Sequence, residues 1–122
     1  LRATAASMMT PRSSHLAGPL FESLATLTVR VAAEAIRAHV GHFCTRTAAH
    51  EIDLVVEGRD GRIVACEVKL AAAVADSDVR HLLWLREQLP DDVSDLVVIT
   101  TGTHAYRRGD GVAVVPLALL GP

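Results

Sequence analysis

The tightest constraint on this chain lies between Glu51 and Leu70, where two alternating runs, EIDLVVEG and GRIVACEVKL, flank Arg59-Asp60. Ile52, Leu54 and Val56 alternate with Asp53, Val55 and Glu57, the two-residue period of a β-strand with two unlike faces. In the second run Ile63, Ala65, Glu67 and Lys69 share one face, and Val64, Cys66, Val68 and Leu70 share the other. Glu67 and Lys69 are therefore neighbours by strand geometry alone. Asp60-Gly61 supplies the turn. Asp53, with Glu67 fourteen residues later and Lys69 two beyond it, forms a candidate Mg²⁺-binding, water-activating cluster.

Whether Asp53 joins that cluster depends on the turn. A two-residue Asp60-Gly61 loop pairs Arg59 with Arg62, sets Leu54 opposite Glu67 and sends Asp53 to the other face. A three-residue loop, with Gly61 at positive φ, pairs Gly58 with Arg62 and sets Asp53 opposite Glu67. Both loops suit a hairpin, and a slip of one residue exchanges the faces. The cluster requires the three-residue loop or an equivalent bulge.

A chain of 122 residues is read as one domain with a single core. With four aromatic residues, that core must be built from Val, Leu, Ile and Ala. The formal net charge of −2 excludes a broadly basic nucleic-acid-binding surface, so any such contact must come from local arginines. Eleven of the twelve basic residues are Arg, and the twelfth is Lys69. A compact ammonium suits the positioning of a water and a phosphate in a way that Arg does not reproduce. Cys44 and Cys66, without a short CxxC spacing, indicate a reduced, cytoplasmic protein and are expected as buried apolar thiols. No secretory signal is apparent, and VAVVPLALL is too short to span a bilayer. The chain begins with Leu and reads as a piece of something larger.

Residues 1–17, rich in Ser, Thr and Ala, read as a linker or poorly ordered lead-in, whose Met8 and Met9, with Leu16, could cover part of the core. The domain is expected over 18–122. Its opening helix starts with Pro19 in the first turn and stops by Gly41. Leu20, Leu24, Leu27, Val31 and Ala35 form the predicted core-facing stripe, widened by Phe21, Thr28 and Ile36. Glu22 in the first turn has two readings: a favourable charge near the positive end of the helix dipole, or an acid aimed at the cluster. A short strand is expected over His42–Thr47. After the hairpin, Asp76 or Ser77 caps a helix running to about Leu89, with Val79, Leu82, Leu83 and Leu89 inward and Pro90 ending it. Leu96–Ile99 reads as a strand buried on both faces, reached by a right-handed crossover. Thr101–Gly111 is a loop, and Gly111–Leu117 a last strand. The fold expected is α/β, a mixed sheet flanked by helices with an α-β-β-β-α-β core.

Mg²⁺ prefers oxygen ligands and keeps several waters. Asp53, Glu67 and the Val68 backbone carbonyl would make such a site, with Lys69 positioning a water and stabilising the transition state. Glu22 could bind a second cation or orient a water. The weaker candidates are elsewhere. Arg107 and Arg108 could touch nucleic-acid phosphates, although a solvated loop is the plainer reading. His39, His42 and Cys44 match no zinc spacing, and the histidines are expected on the surface. Trp84 is expected to pack or to face a partner.

The combination of Glu22 in GPLFES, Asp53 in EIDLVVEG, and Glu67 with Lys69 in ACEVKL resembles the PD-(D/E)XK nuclease superfamily over roughly 18–116. More narrowly, with VVITTG and VVPL, it looks like the nuclease-like C-terminal domain of unknown function that follows an AAA+ ATPase module in bacterial and archaeal proteins. Ile52 stands where the superfamily motif has Pro. The resemblance implies a restriction-endonuclease-like fold, a Mg²⁺ or Mn²⁺ site and metal-dependent phosphodiester hydrolysis, most naturally of DNA. It also implies an N-terminal ATPase module in the parent chain and possible homo-oligomers. The alternative is a non-catalytic interaction module serving that ATPase or an oligomer.

Overall fold

The computed structural model describes residues 16–120. Most of the lead-in, with Met8, Met9 and His15, lies outside the described residues. Helix α1 spans Ala17–Ala35, followed by β1 (His39–Cys44), β2 (Glu51–Glu57) and β3 (Ile63–Val68). A single 3₁₀ turn (Asp76–Val79) leads into α2 (Arg80–Gln88), then β4 (Val93–Thr100), β5 (Tyr106–Arg107) and β6 (Ala113–Pro116). The strands form one six-stranded mixed sheet in the order β1-β2-β3-β4-β6-β5. β3 and β4 are parallel and joined through α2, the crossover expected from the sequence.

The two helices cover opposite faces of the sheet. Phe21 and Ala25 of α1 pack with Leu54, Cys66 and Ile99, while Val79, Leu82 and Leu85 pack with Ile52, Ala65, Leu96 and Val98. The run Leu96–Ile99 thus feeds both cores, as its unbroken apolar character requires.

Several boundaries and faces differ from the sequence expectation. The α1 helix begins at Ala17, two residues before Pro19, and ends at Ala35 rather than near Gly41, which lies inside β1. The first strand is His39–Cys44, not His42–Thr47. The loop expected over Thr101–Gly111 contains β5, paired with β6. Leu85, not Leu89, completes the inward face of α2, and Leu89 is exposed.

The largest correction concerns α1. Leu24, Leu27 and Val31, the predicted core stripe, are 40, 59 and 58% exposed, and Ile36 is exposed as well. The buried face carries Ala17, Phe21, Ala25 and Ala33. Small side chains let a helix axis approach a sheet closely, and Phe21 then fills the remaining gap. A helix apolar on nearly every side cannot announce which arc turns inward, because periodicity alone ranks the Leu arc first.

Candidate functional site

The hairpin between β2 and β3 settles the register. Leu54 pairs with Cys66, Val55 with Ala65 and Val56 with Val64. The Gly58 N–H donates to the Arg62 carbonyl at 2.9 Å, and Gly61 sits at φ +82°. This is the three-residue loop, and its register places Asp53 opposite Glu67, one step past the Leu54–Cys66 pair. The Asp60 carboxylate accepts from the Arg62 N–H at 3.0 Å and holds the turn closed.

A bulge in β2 aims the aspartate. Gly41 of β1 faces Val55 and Phe43 faces Ile52, so His42 alone opposes both Asp53 and Leu54. Ile52 and Leu54, two residues apart, consequently join cores on opposite faces. The regular β2–β3 ladder stops at Leu54, and Asp53 Oδ2 instead accepts the Val68 N–H at 2.8 Å. A side-chain oxygen here replaces a ladder acceptor, which fixes the carboxylate beside the end of β3.

Glu67 is half-buried, and its Oε1 is shut off from solvent without a hydrogen-bond partner among the described residues. Burial pushes its carboxyl up to about 8, and the neighbouring Asp53 carboxylate adds charge repulsion and a shared hydrogen bond. An orphaned buried oxygen facing a second carboxylate is the kind of donor pair that a hard divalent cation satisfies. Asp53 and Glu67 therefore fit such an ion. The described residues contain no group of three or more His, Cys, Asp or Glu placed to hold a metal.

The other expected participants are elsewhere. Glu22 is exposed on α1, the helix on the face opposite Ala65, so it does not join the acids; because the helix begins at Ala17, Glu22 also lies beyond the first turn, where the dipole reading placed it. The Lys69 ammonium is ion-paired with the Asp78 carboxylate, which also accepts the Ala75 N–H at 2.7 Å. The lysine's hydrogen bond draws the Asp78 carboxyl below its ordinary value. Lys69 makes no hydrogen bond to Asp53 or Glu67 among the described residues. Asp78 was missed in the sequence because its partner lies across a link of irregular chain, although an acid entering a helix is a recognisable capping signal. Val68 meets the pair through its N–H, which donates to Asp53.

Arg107 and Arg108 are committed within the domain. Arg107 donates to Asp95 and to the Gly111 carbonyl, while Arg108 binds Asp76, Asp110 and the Val74 carbonyl. They tie the β5 region to β4 and to the link before α2. Cys66 is buried as expected and its thiol is pushed up to about 12, mainly by burial. Cys44 is exposed, contrary to expectation, and its thiol donates toward Glu51 Oε1 at 3.6 Å.

Among the described histidines, His50 and His81 are partly buried rather than spread on the surface. His50 stacks on Trp84 with ring centroids 3.9 Å apart, and its Nδ1 lies 3.1 Å from Nδ1 of His81. Trp84 also packs against Phe43, which bears out its reading as a packing residue. No helix among the described residues is long and apolar enough to cross a membrane.

Neither the curated proteins nor the solved structures contain a match to this sequence. A family model, described as a domain of unknown function (DUF4143), matches residues 17–120, nearly all of the described domain. The narrower of the two resemblances, to a domain of unknown function, agrees with that match. The chain belongs to the DUF4143 family.

Proposed function

We propose that this is a divalent-cation-dependent, nuclease-type domain that hydrolyses phosphodiester bonds, with DNA as the favoured substrate. The observation that carries the reading is the pairing of Asp53 with Glu67, whose Oε1 is buried and unpartnered among the described residues. Bound there, Mg²⁺ or Mn²⁺ supplies a water of lowered pKa and neutralises charge on a phosphoryl oxygen. The protein's own part is to hold two carboxylates at a strand end. Asp53 is fixed by the Val68 N–H, and Glu67 must give up its proton to ligate. Lys69 emerges one residue after β3 and reaches the same region once it leaves Asp78. The domain then works as the C-terminal part of a cytoplasmic ATPase-associated protein, alone or as a homo-oligomer.

One observation favours the second reading, a nuclease-fold module that binds partners without cleaving. Lys69 is held by Asp78, and Arg107 and Arg108 are committed internally, so the three cations expected at phosphates already have carboxylate partners within the domain. Calorimetric titration with Mn²⁺ and Mg²⁺, alongside cleavage of single- and double-stranded DNA and RNA, separates the two. The nuclease reading requires ion binding that Asp53→Ala abolishes, and cleavage that Lys69→Ala removes while sparing ion binding. Ion binding without cleavage of any of these substrates selects the module.

A further inference from the structure

We propose that Arg80, His81, His50 and Trp84 form an acid-sensitive clasp, which fastens α2 to the β1–β2 hairpin at neutral pH and opens when either imidazole takes up a proton. His50 lies just before β2 and is anchored by its backbone: its N–H donates to Thr45 Oγ1 at 3.2 Å, and its carbonyl accepts the Thr45 N–H at 3.0 Å. His81 and Trp84 stand one turn apart on α2. The two imidazoles meet edge to face, with centroids 5.3 Å apart, while the His50 ring lies nearly parallel to the indole at 9°.

The hydrogen bonds assign the tautomers. A guanidinium only donates, so Arg80 Nη2, 3.3 Å from His81 Nε2, requires a lone pair on that nitrogen. Neutral His81 then carries its proton on Nδ1 and donates it to Nδ1 of His50. His50 in turn carries its own proton on Nε2. The chain Arg80 to His81 to His50 is complete only when both rings are neutral. A proton added to His50 Nδ1 faces the His81 N–H, and a proton added to His81 Nε2 faces the guanidinium. Either way one contact is lost.

The surrounding charges agree. Arg80 comes from α2 itself, His50 from the hairpin, and Glu51 and Asp53 from β2. Burial, then Arg80 and His50, lower the His81 pKa, and the two carboxylates offset this only in part. Proton uptake by His81 is therefore harder than by a free imidazole, and the clasp is closed at neutral pH.

Trp84 is the single tryptophan of the chain and reports the event directly. Its emission, followed from pH 8 to 5 in the whole chain, should change in one sigmoidal step with a midpoint below 6.5, while the far-UV circular dichroism stays constant. His50→Gln and His81→Gln should each remove the step. Imidazole nitrogen NMR of the wild type provides a readout that needs no variant, with Nδ1–H on His81 and Nε2–H on His50 at pH 8. Flat emission over this range, a step that survives in the double variant, or the opposite tautomers overturns the clasp.

Discussion

Glu67 carries the largest consequence of any single side chain in the domain. Its folded-state carboxyl titrates near 8 against an ordinary 4.5, so the folded protein holds a proton that the unfolded chain releases. The sign follows: this stability is present in full below pH 4.5 and is lost as pH rises through about 8. Glu67→Gln keeps the shape and the neutral form. It should flatten the fall in thermal midpoint across that window, measured by calorimetry. Asp78 offers a second check at this scale. Asp78→Asn weakens both the Lys69 ion pair and the acceptor for the Ala75 N–H, and should cost about 1 kcal/mol, as partly exposed pairs and helix-entry caps do. A loss above about 3 kcal/mol in denaturant titration would contradict the partly exposed setting of that pair.

At the scale of elements, the hairpin turn and α1 act in opposite ways on what can be inferred. Gly61 adopts φ +82°, and a Cβ added there would have no atom within 4 Å, so Gly61→Ala meets backbone strain alone. The expected cost is about 1 kcal/mol, read as a lowered urea midpoint with an unchanged slope. Replacing the loop with a two-residue Asn-Gly turn should be far worse, because it slips the register by one residue and turns Glu67 away from Asp53. For α1, Leu27→Glu and Val31→Glu should change stability by less than about 0.5 kcal/mol, since both side chains face solvent. Phe21→Ala should cost roughly 3–5 kcal/mol by opening a cavity against Leu54 and Ile99. If the order of these effects reverses in equilibrium unfolding, the helix is inserted the other way round.

For the molecule as a whole, two cores share one sheet, and β4 belongs to both. Val98 and Ile99 are essentially inaccessible, one on each side, and native-state hydrogen exchange should be slowest through β3 and β4. The acids sit on the α2 side of this sheet and the apolar outer arc of α1 on the other. A functional surface built from Asp53 and Glu67 is consequently separate from the exposed Leu24, Leu27 and Val31. Much of this plan was legible beforehand. The alternation in β2 and β3 assigned the strands, the unbroken run in β4 announced burial on both faces, and the crossover length implied a parallel pair. The two acids could be shortlisted because a polar residue in an apolar strand must be explained.

Local periods of 2 and 3.6 residues marked β2, β3, β4 and the two helices, and shortlisted Asp53, Glu67 and Lys69 as side chains that two adjacent strands could bring together, because alternation and helical spacing are properties of neighbours along the chain. Tertiary structure decided the rest. The hairpin loop selected one of two registers, the β2 bulge sent Ile52 and Leu54 to opposite sides, and the sheet accepted the Ala-rich arc of α1 in preference to its Leu arc. Asp78 captured Lys69 only because the chain returns to the end of β3. Each of these outcomes depends on how closely two surfaces approach, a distance that no pattern along a single chain encodes.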